Sequence, residues 1–343
     1  MRTLLRVFVT ASALSATSLV FAQQPIVNHG KVTTAAPDQT LSAVIDGFKL
    51  QKDTVWIGYS VPVVSNFSVG WNSNRIDYLE GNGESVVTEP EENKHSFDRA
   101  IVLLRIAGGA VVKVQLESPE RELDAGGLHF VWLNSVNADE SVRMLTDVAR
   151  QNSAPRLRDS AIFAISIHQA SSATNALLSL TAPSNDLELR EKAAFWLANQ
   201  RGHEGFVAIQ NLAHNDSDPK FREKLAFDLT LSKDPEALDE LIRMAHEDTA
   251  PQVRKQAQFW MANKGGKRVT ADLRMMATND PNDQIRKSAV FALSRLPGDE
   301  AATQLIAVAD SSKDPVVRRQ AIFWLGQSND PRALDYLTKL LKQ

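Results

Sequence analysis

Arginine returns at one fixed interval of 32 residues, at Arg158, Arg190, Arg222, Arg254, Arg286 and Arg318. Five residues after each stands a phenylalanine: Phe163, Phe195, Phe227, Phe259, Phe291 and Phe323. Seven after each stands a large aliphatic residue or Met: Ile165, Leu197, Leu229, Met261, Leu293 and Leu325. A period of this length is one supersecondary unit repeated, and such a unit can bury its apolar face only against its neighbours. Residues 138–343 are therefore confined to a stacked array, whose long regular surface suits gripping a partner better than doing chemistry.

The spacing places two helices in each unit. In the second, three positions share one face of the 3.6-residue period. They are the residue before the Arg (Leu157, Leu189, Phe221, Val253, Ile285, Val317), the third after it (Ala161, Ala193, Leu225, Ala257, Ala289, Ala321) and the seventh after it. Asp186, Asp218, Asn282 and Asp314 precede their Arg by four as N-caps, and Pro155, Pro219, Pro251 and Pro315 take the first helical position. A cap oxygen accepts an orphan N–H, and proline has none to orphan. The first helix of each following unit carries two further columns, Leu177, Ile209, Leu241, Leu273, Leu305, Leu337 and Leu180, Leu212, Met244, Met276, Val308, Leu340. Leu145 and Val148 extend these columns backwards, so a leading helix begins near Asp139. The expectation is about six helix pairs plus one helix.

Ahead of the repeats the texture changes. Arg2, Arg6, an apolar stretch and Val20-Phe21-Ala22 before Gln23 read as a secretory signal peptide over residues 1–22. This predicts export, to the periplasm or outside the cell. Residues 23–40, polar and small with Pro25 and Pro37, read as a flexible mature N-terminus. Residues 41–137 read as a small β-rich domain. Thr54 to Tyr59 is a β-branched and aromatic run, and Ala100–Ile106 and Ala110–Leu116 flank Ala107-Gly108-Gly109 as a hairpin. His129 to Leu133 is a further short strand, and Gly81 to Lys94 reads as a loop. The chain has no cysteine, so its core and not disulfides must hold it together. Thirty-eight Lys and Arg face 41 Asp and Glu, a near balance that argues against a nucleic-acid partner. No later segment has the unbroken apolar length of a span, so no membrane insertion is expected after signal cleavage.

The segment Asp314-Pro315-Val316-Val317-Arg318-Arg319-Gln320-Ala321 carries whole a pattern that recurs in phase across 139–343, and it resembles the short HEAT repeat first named in phycobilisome lyases. The N-terminal part, through Val55 to Pro62, Leu123 to Gly127 and Val131 to Leu133, resembles the β-rich region that precedes such repeats in exported bacterial HEAT-repeat proteins. The resemblance implies a mostly α fold, a right-handed α-solenoid (an α-α superhelix) of short HEAT repeats preceded by a small β-rich (α+β) domain. It implies a role in protein–protein interaction and names no partner. It also implies a structural part for the repeated arginines, which in such repeats bond the inter-helix turn or a neighbouring Asp.

The phenylalanine column is the sharpest functional clue. On the helical wheel it points away from the three core columns, among polar neighbours. Two readings are open. Each ring fills the seam between adjacent second helices, or the six form a ladder along the inner curve that anchors a partner; both hold if one ring face stays open. The residue after each Arg is Asp159, Glu191 or Glu223 in the first three units and Lys255, Lys287 or Arg319 in the last three. Bordering the inner face, this column makes the groove bipolar and fixes the direction of an extended peptide; otherwise it is solvated surface charge. Trp196, Trp260 and Trp324 follow the Phe in alternate units, with Ala164, Asp228 and Ala292 between them. The expectation is that the Trp rings pack at the boundary between helix layers.

Chemistry finds little foothold. The seven histidines are scattered, without a metal-ligand or triad spacing. Deoxyhypusine hydroxylase is a HEAT-like enzyme whose paired His-Glu motifs hold two irons; this chain has only His203-Glu204 and His246-Glu247, away from the repeated Arg. Leu123 to Gly127 reads as a glycine turn, with an anion cradle as the alternative. The expectation is a non-catalytic scaffold or adaptor in the cell envelope that binds another protein or an extended peptide on its concave face, with no cofactor and no metal. An enzyme of hydroxylase or lyase type is the alternative reading.

Overall fold

The computed structural model describes residues 24–64, 76–80, 97–151 and 154–342. The expected signal peptide and the expected loop from Gly81 to Lys94 lie outside them. The described chain opens with strands β1 (Val27–Asn28) and β2 (Lys31–Thr34), then helix α1 (Leu41–Gln51). Strands β3 (Val55–Pro62), β4 (Ile76–Tyr78), β5 (Arg99–Ala107), β6 (Ala110–Glu117), β7 (Glu122–Asp124) and β8 (His129–Leu133) follow. One sheet has the order β2-β8-β3-β5-β6 and a smaller one the order β1-β7-β4. β5 and β6 form the expected hairpin, turning on Gly108 and Gly109 at φ +59 and +81. Both central residues of such a mirror-type turn need positive φ, which glycine supplies without strain.

Alternation of side chains gives the larger sheet two faces. Trp56, Ile101, Leu103, Phe130 and Trp132 point one way and pack with Leu79 and Leu123 of the smaller-sheet side. Val55, Ile57, Tyr59, Val102, Leu104 and Val131 point the other way and are continuous with the core of the helices that follow. The flexible stretch expected over 23–40 is overturned across Val27–Thr34. β1 pairs in parallel with β7, and β2 pairs in parallel with β8 as an edge of the larger sheet. Parallel pairing with strands far along the chain needs no adjoining turn, so the local sequence carries no sign of it.

The helices are α2 (Ala138–Gln151), α3 (Pro155–Ile167), α4 (Ser172–Leu180), α5 (Leu187–Gln200), α6 (Gly202–Asn215), α7 (Pro219–Leu231), α8 (Ala237–Glu247), α9 (Pro251–Gly265), α10 (Thr270–Asn279), α11 (Asp283–Ser294), α12 (Glu300–Ser311), α13 (Pro315–Gly326) and α14 (Pro331–Leu341). They start where the chain chemistry directs. Asp186 accepts from the Leu189 N–H at 2.9 Å, Asp218 from Lys220 at 2.9 Å, Asn282 from Gln284 at 2.8 Å and Asp314 from Val316 at 2.8 Å. Proline opens α3, α7, α9 and α13.

Even-numbered α2 to α14 form one layer and odd-numbered α3 to α13 the other. The core columns of the odd helices are buried in every unit, Leu157 to Val317, Ala161 to Ala321 and Ile165 to Leu325. Burying each Val, Leu, Ile, Met or Phe of these columns is worth about 1.5–3 kcal/mol, and each Ala less. Successive odd helices pack on one another more extensively than successive even ones. An array packs more tightly on the inside of its bend, so the odd helices form the inner layer.

The strand region is not a detached module. The Val64 N–H donates to Ile167 O at 2.9 Å, and the Gln169 N–H donates to Pro62 O at 3.0 Å. The Tyr59 hydroxyl meets Ser141 Oγ at 2.8 Å, and Ser141 Oγ lies 2.9 Å from His168 Nε2. His168 Nδ1 donates to Ala164 O at 2.6 Å, which leaves Nε2 as the acceptor for Ser141. This relay is wholly buried and joins β3, α2 and the end of α3. Burial holds the His168 imidazole down at about 4, so it is neutral. The sheets thus close the first end of the array, where a solenoid otherwise exposes its core.

Candidate functional site

The repeated arginines lie between units. The Arg158 guanidinium donates to Asp186 at 2.9 Å, and Arg190 donates to Asp216 and to Thr181 O. Arg222 grips Asp248 and donates to Asp216 O at 2.7 Å; Arg286 grips Asp314 and donates to Asp280 O at 2.7 Å. Arg254 donates to Asp248 O at 2.7 Å, while Arg318 in the last pair is exposed. A guanidinium satisfies a turn carbonyl of its own unit and a carboxylate of the next with one rigid fork. These side chains clamp the stack and leave the inner face to the column five residues on.

On that face the aromatic side chains form a row. Phe163, Phe195, Phe227, Phe259 and Phe291 are half-buried, and Phe323 is 53% exposed. The Trp rings pack against the core and also reach the Phe column. Trp196 lies 4.7 Å from Phe163 of the preceding inner helix and 5.0 Å from its own neighbour Phe195. Trp260 does the same to Phe227 and Phe259 at 4.9 and 4.8 Å, and Trp324 to Phe291 and Phe323 at 5.0 and 5.1 Å. Each Trp therefore crosses the seam between inner helices, and each Phe has one edge against a Trp and another toward the groove. Packing and a partly open ring face coexist here. Such pairs add about 0.5–1.5 kcal/mol beyond the area they bury.

Two seams lack a Trp, because Asp228 and Ala292 occupy its position. At the seam between α9 and α11, Phe259 and Phe291 stack directly, 6.0 Å apart and 9° from parallel. Around the seam between α5 and α7 a cavity of about 530 Å³ opens. Phe163, Phe195, Trp196 and Phe227 form its apolar walls, with Asp159, Ser160, Glu191, Lys192, Lys224 and Asp228 around them. Its size is that of small-molecule sites, which combine apolar walls with a few placed polar groups.

Asp228 is the polar group of consequence. It is 4% exposed, and among the described residues no hydrogen bond reaches its buried Oδ2. Burial, with the Glu191 carboxylate adding repulsion and the Lys224 ammonium opposing it, pushes the Asp228 carboxyl up to about 8. An apolar wall costs a charge its hydration, and without a partner the acid holds its proton instead. Lys192 is engaged with Asp159 at 2.9 Å across the rim. A buried carboxyl with no bonded partner is a recognised mark of a site, and here it coincides with the cavity.

The column after each Arg divides by exposure. Asp159 and Glu191 line the cavity. Glu223 and Lys287 are half-buried, and Lys255 and Arg319 are exposed. The two His-Glu pairs lie apart on outer helices α6 and α8, where His203 pairs with Asp234 at 2.7 Å and His246 with Asp272 at 3.1 Å. Leu123 to Gly127 is a turn whose Gly126 N–H donates to its own Asp124 at 2.9 Å. Glu117 is pushed up to about 8, by burial and by the neighbouring Asp77, and Arg121 lies 2.7 Å from Asp77 and 3.8 Å from Glu117. The cavity itself was legible only as an irregularity, an aspartate in a column of tryptophan and alanine.

The family model for HEAT repeats matches residues 206–294 and 270–343. Over residues 206–343 the array is similar to HEAT repeats. Similar folds occur in human deoxyhypusine hydroxylase, at 16% identity and TM-score 0.33, over 59% of this chain and 90% of that one. The complex of CpcE and CpcF of phycocyanin lyase from Nostoc sp. PCC7120 is similar at 24% identity and TM-score 0.33, over 46% and 100%. Kap121p is similar at 14% identity and TM-score 0.39, over 60% and 27%. These are likenesses of fold alone. Among curated proteins no sequence match is found. Among the described residues no helix is long and apolar enough to cross a membrane.

Proposed function

We propose that this chain is a non-catalytic scaffold or adaptor of the cell envelope, exported by its N-terminal segment, that holds another protein or an extended peptide along the inner face of its HEAT repeats. HEAT-repeat arrays generally serve protein binding, and a regular concave surface is the usual place for it. The observation that carries the reading is the aromatic row: six phenylalanines and three tryptophans in phase on the inner helices, all half-buried except the exposed Phe323 and none sealed. Partly open aromatic rings on rigid helices are good anchors, since they offer area at low entropy cost. The acidic residues Asp159 and Glu191 beside the row and the basic Lys255 and Arg319 further along favour one direction for a charged peptide.

The test contrasts the two faces. Phe195→Ser with Phe323→Ser alters the inner face, and Leu178→Ser with Val207→Ser alters exposed apolar positions of the outer helices. Capture of a partner from envelope extract should fall at least tenfold with the first pair and persist with the second. Equal capture by both pairs would refute inner-face binding.

A further inference from the structure

Asp228 stands where the neighbouring units carry Trp196 and Trp260, and a cavity opens at its seam. We propose that the cavity between α5 and α7 binds an alkylammonium group, its aliphatic stem against Phe195, Trp196 and Phe227 and its cationic head against the Asp228 carboxylate.

Charge decides the sign of the ligand. Around the cavity α3 supplies Asp159, α5 supplies Glu191 and Lys192, and α7 supplies Lys224 and Asp228. Lys192 is bound to Asp159 at 2.9 Å. Glu191 and Lys224 are opposite in charge, so the rim as a whole is balanced. Asp159 also has one buried unbonded oxygen, Oδ1, but its Oδ2 is held by Lys192; Asp228 is the carboxylate left over, with Oδ2 buried and unbonded and, among the described residues, no ion pair to a lysine or arginine. A cation entering the cavity supplies the missing partner, whereas an anion would meet Asp228 and Glu191 together. The walls favour the same class, because aromatic faces attract desolvated cations within about 6 Å of the ring. The stem matters too: the apolar walls would waste a bare metal ion, and the cavity is large enough for a side-chain-length ligand.

Binding is then coupled to a proton. In the empty site Asp228 holds its proton up to about pH 8. The cation takes the proton's place, so one proton is released per ligand bound below that pH. Affinity should rise about tenfold per pH unit up to roughly pH 8 and flatten above it.

The lysine side chain of a partner is the source this inference favours, and that choice alone rests on the proposed scaffold function; a free alkylamine carries the same chemistry. The experiment titrates the full chain by calorimetry with Nα-acetyl-lysine methylamide, n-butylammonium, Nα-acetyl-norleucine methylamide and acetate, from pH 6 to 9, for the wild type and Asp228→Asn. The expected result is binding of both ammonium probes with proton release and none of the uncharged norleucine probe. Asp228→Asn, which matches the protonated acid in shape and should fold, should lose at least tenfold in affinity together with the pH slope. Equal binding of the norleucine probe, preference for acetate, or ammonium affinity unchanged in Asp228→Asn would overturn the site. Binding of butylammonium without the lysyl probe keeps the ammonium site and overturns a polypeptide source. Loss of all ammonium binding with inner-face capture intact overturns the site while leaving the scaffold reading standing.

Discussion

Arg222 and Asp248 meet through two parallel hydrogen bonds, Nε to Oδ2 and Nη2 to Oδ1, each 2.8 Å long. They belong to successive units of the stack, and both are buried. Burial raises Asp248, but the bonds from Arg222 and the Ala250 N–H, together with the charges of Arg222 and Arg243, outweigh it and hold the carboxyl below its ordinary value. Removing one partner strands the other charge, so Asp248→Ala should cost about 3–5 kcal/mol. Arg222→Lys should cost roughly 2 kcal/mol, because an ammonium cannot reproduce the fork. Denaturant melts check both. The stabilisation from Asp248 is complete above its unfolded pKa and is lost as pH falls through the lower folded one.

Asp228 works in the opposite sense. Its folded pKa, about 8, lies above the unfolded value, so its favourable contribution is full below pH 4 and disappears as pH rises to 8. Asp228→Asn should therefore raise Tm by several degrees at pH 9 and hardly at pH 4, a gain on the order of 3–5 kcal/mol at the alkaline end. Asp228→Trp should restore the ring missing from the α5/α7 seam, stabilise the stack and close the cavity. A Tm gain that did not grow with pH would refute the assignment of a buried, unpartnered acid.

Gly205 lies where α6 turns back on α5. A Cβ there would stand 2.0 Å from the Leu197 carbonyl oxygen and 2.8 Å from Arg201 Cβ. Backbone cannot yield as a side chain can, so Gly205→Ala should destabilise by about 2–4 kcal/mol through overpacking. Circular dichroism melts should show the loss, with Gly108→Ala as a milder turn variant whose effect comes from its positive φ.

The junction of sheet and array should respond to acid. His168 is neutral in the fold because burial lowers it to about 4. Its contribution is complete above pH 6.5 and lost as pH falls toward 4, where the imidazole must take a proton. Hydrogen exchange at the Val64 and Gln169 amides should accelerate over that window before the amides of α9 to α13 do. Removal of residues 24–137 should unfold α2 and α3, since Leu145, Leu157 and Ile162 share one core with Tyr59 and Val102.

Much of this fold can be read from residues 138–343 because each unit repeats the same physics. Leu157, Ala161 and Ile165 recur five times over, and the columns are buried wherever they recur. Asp186 and Pro219 show their helix starts locally. The strand region is harder. Val27 and Lys31 are ordered only by partners at Leu123 and His129, and α1 has neither a repeat nor a strong apolar stripe to reveal it. The candidate site falls between these cases. The Phe column is visible as a period, but its half-burial depends on Trp196 and Trp260 reaching across to the preceding helix. Asp228 breaks the column in plain view, yet its meaning needs the cavity beside it.

Photocrosslinking tests the central claim, that the inner aromatic face holds the partner, most directly. With benzoylphenylalanine in place of Phe195 or Phe323, and of Leu178 or Val207 on the outer helices, one crosslinked species is expected from the inner positions and none from the outer ones. Crosslinks from Leu178 and Val207 with silence at Phe195 and Phe323 would contradict it.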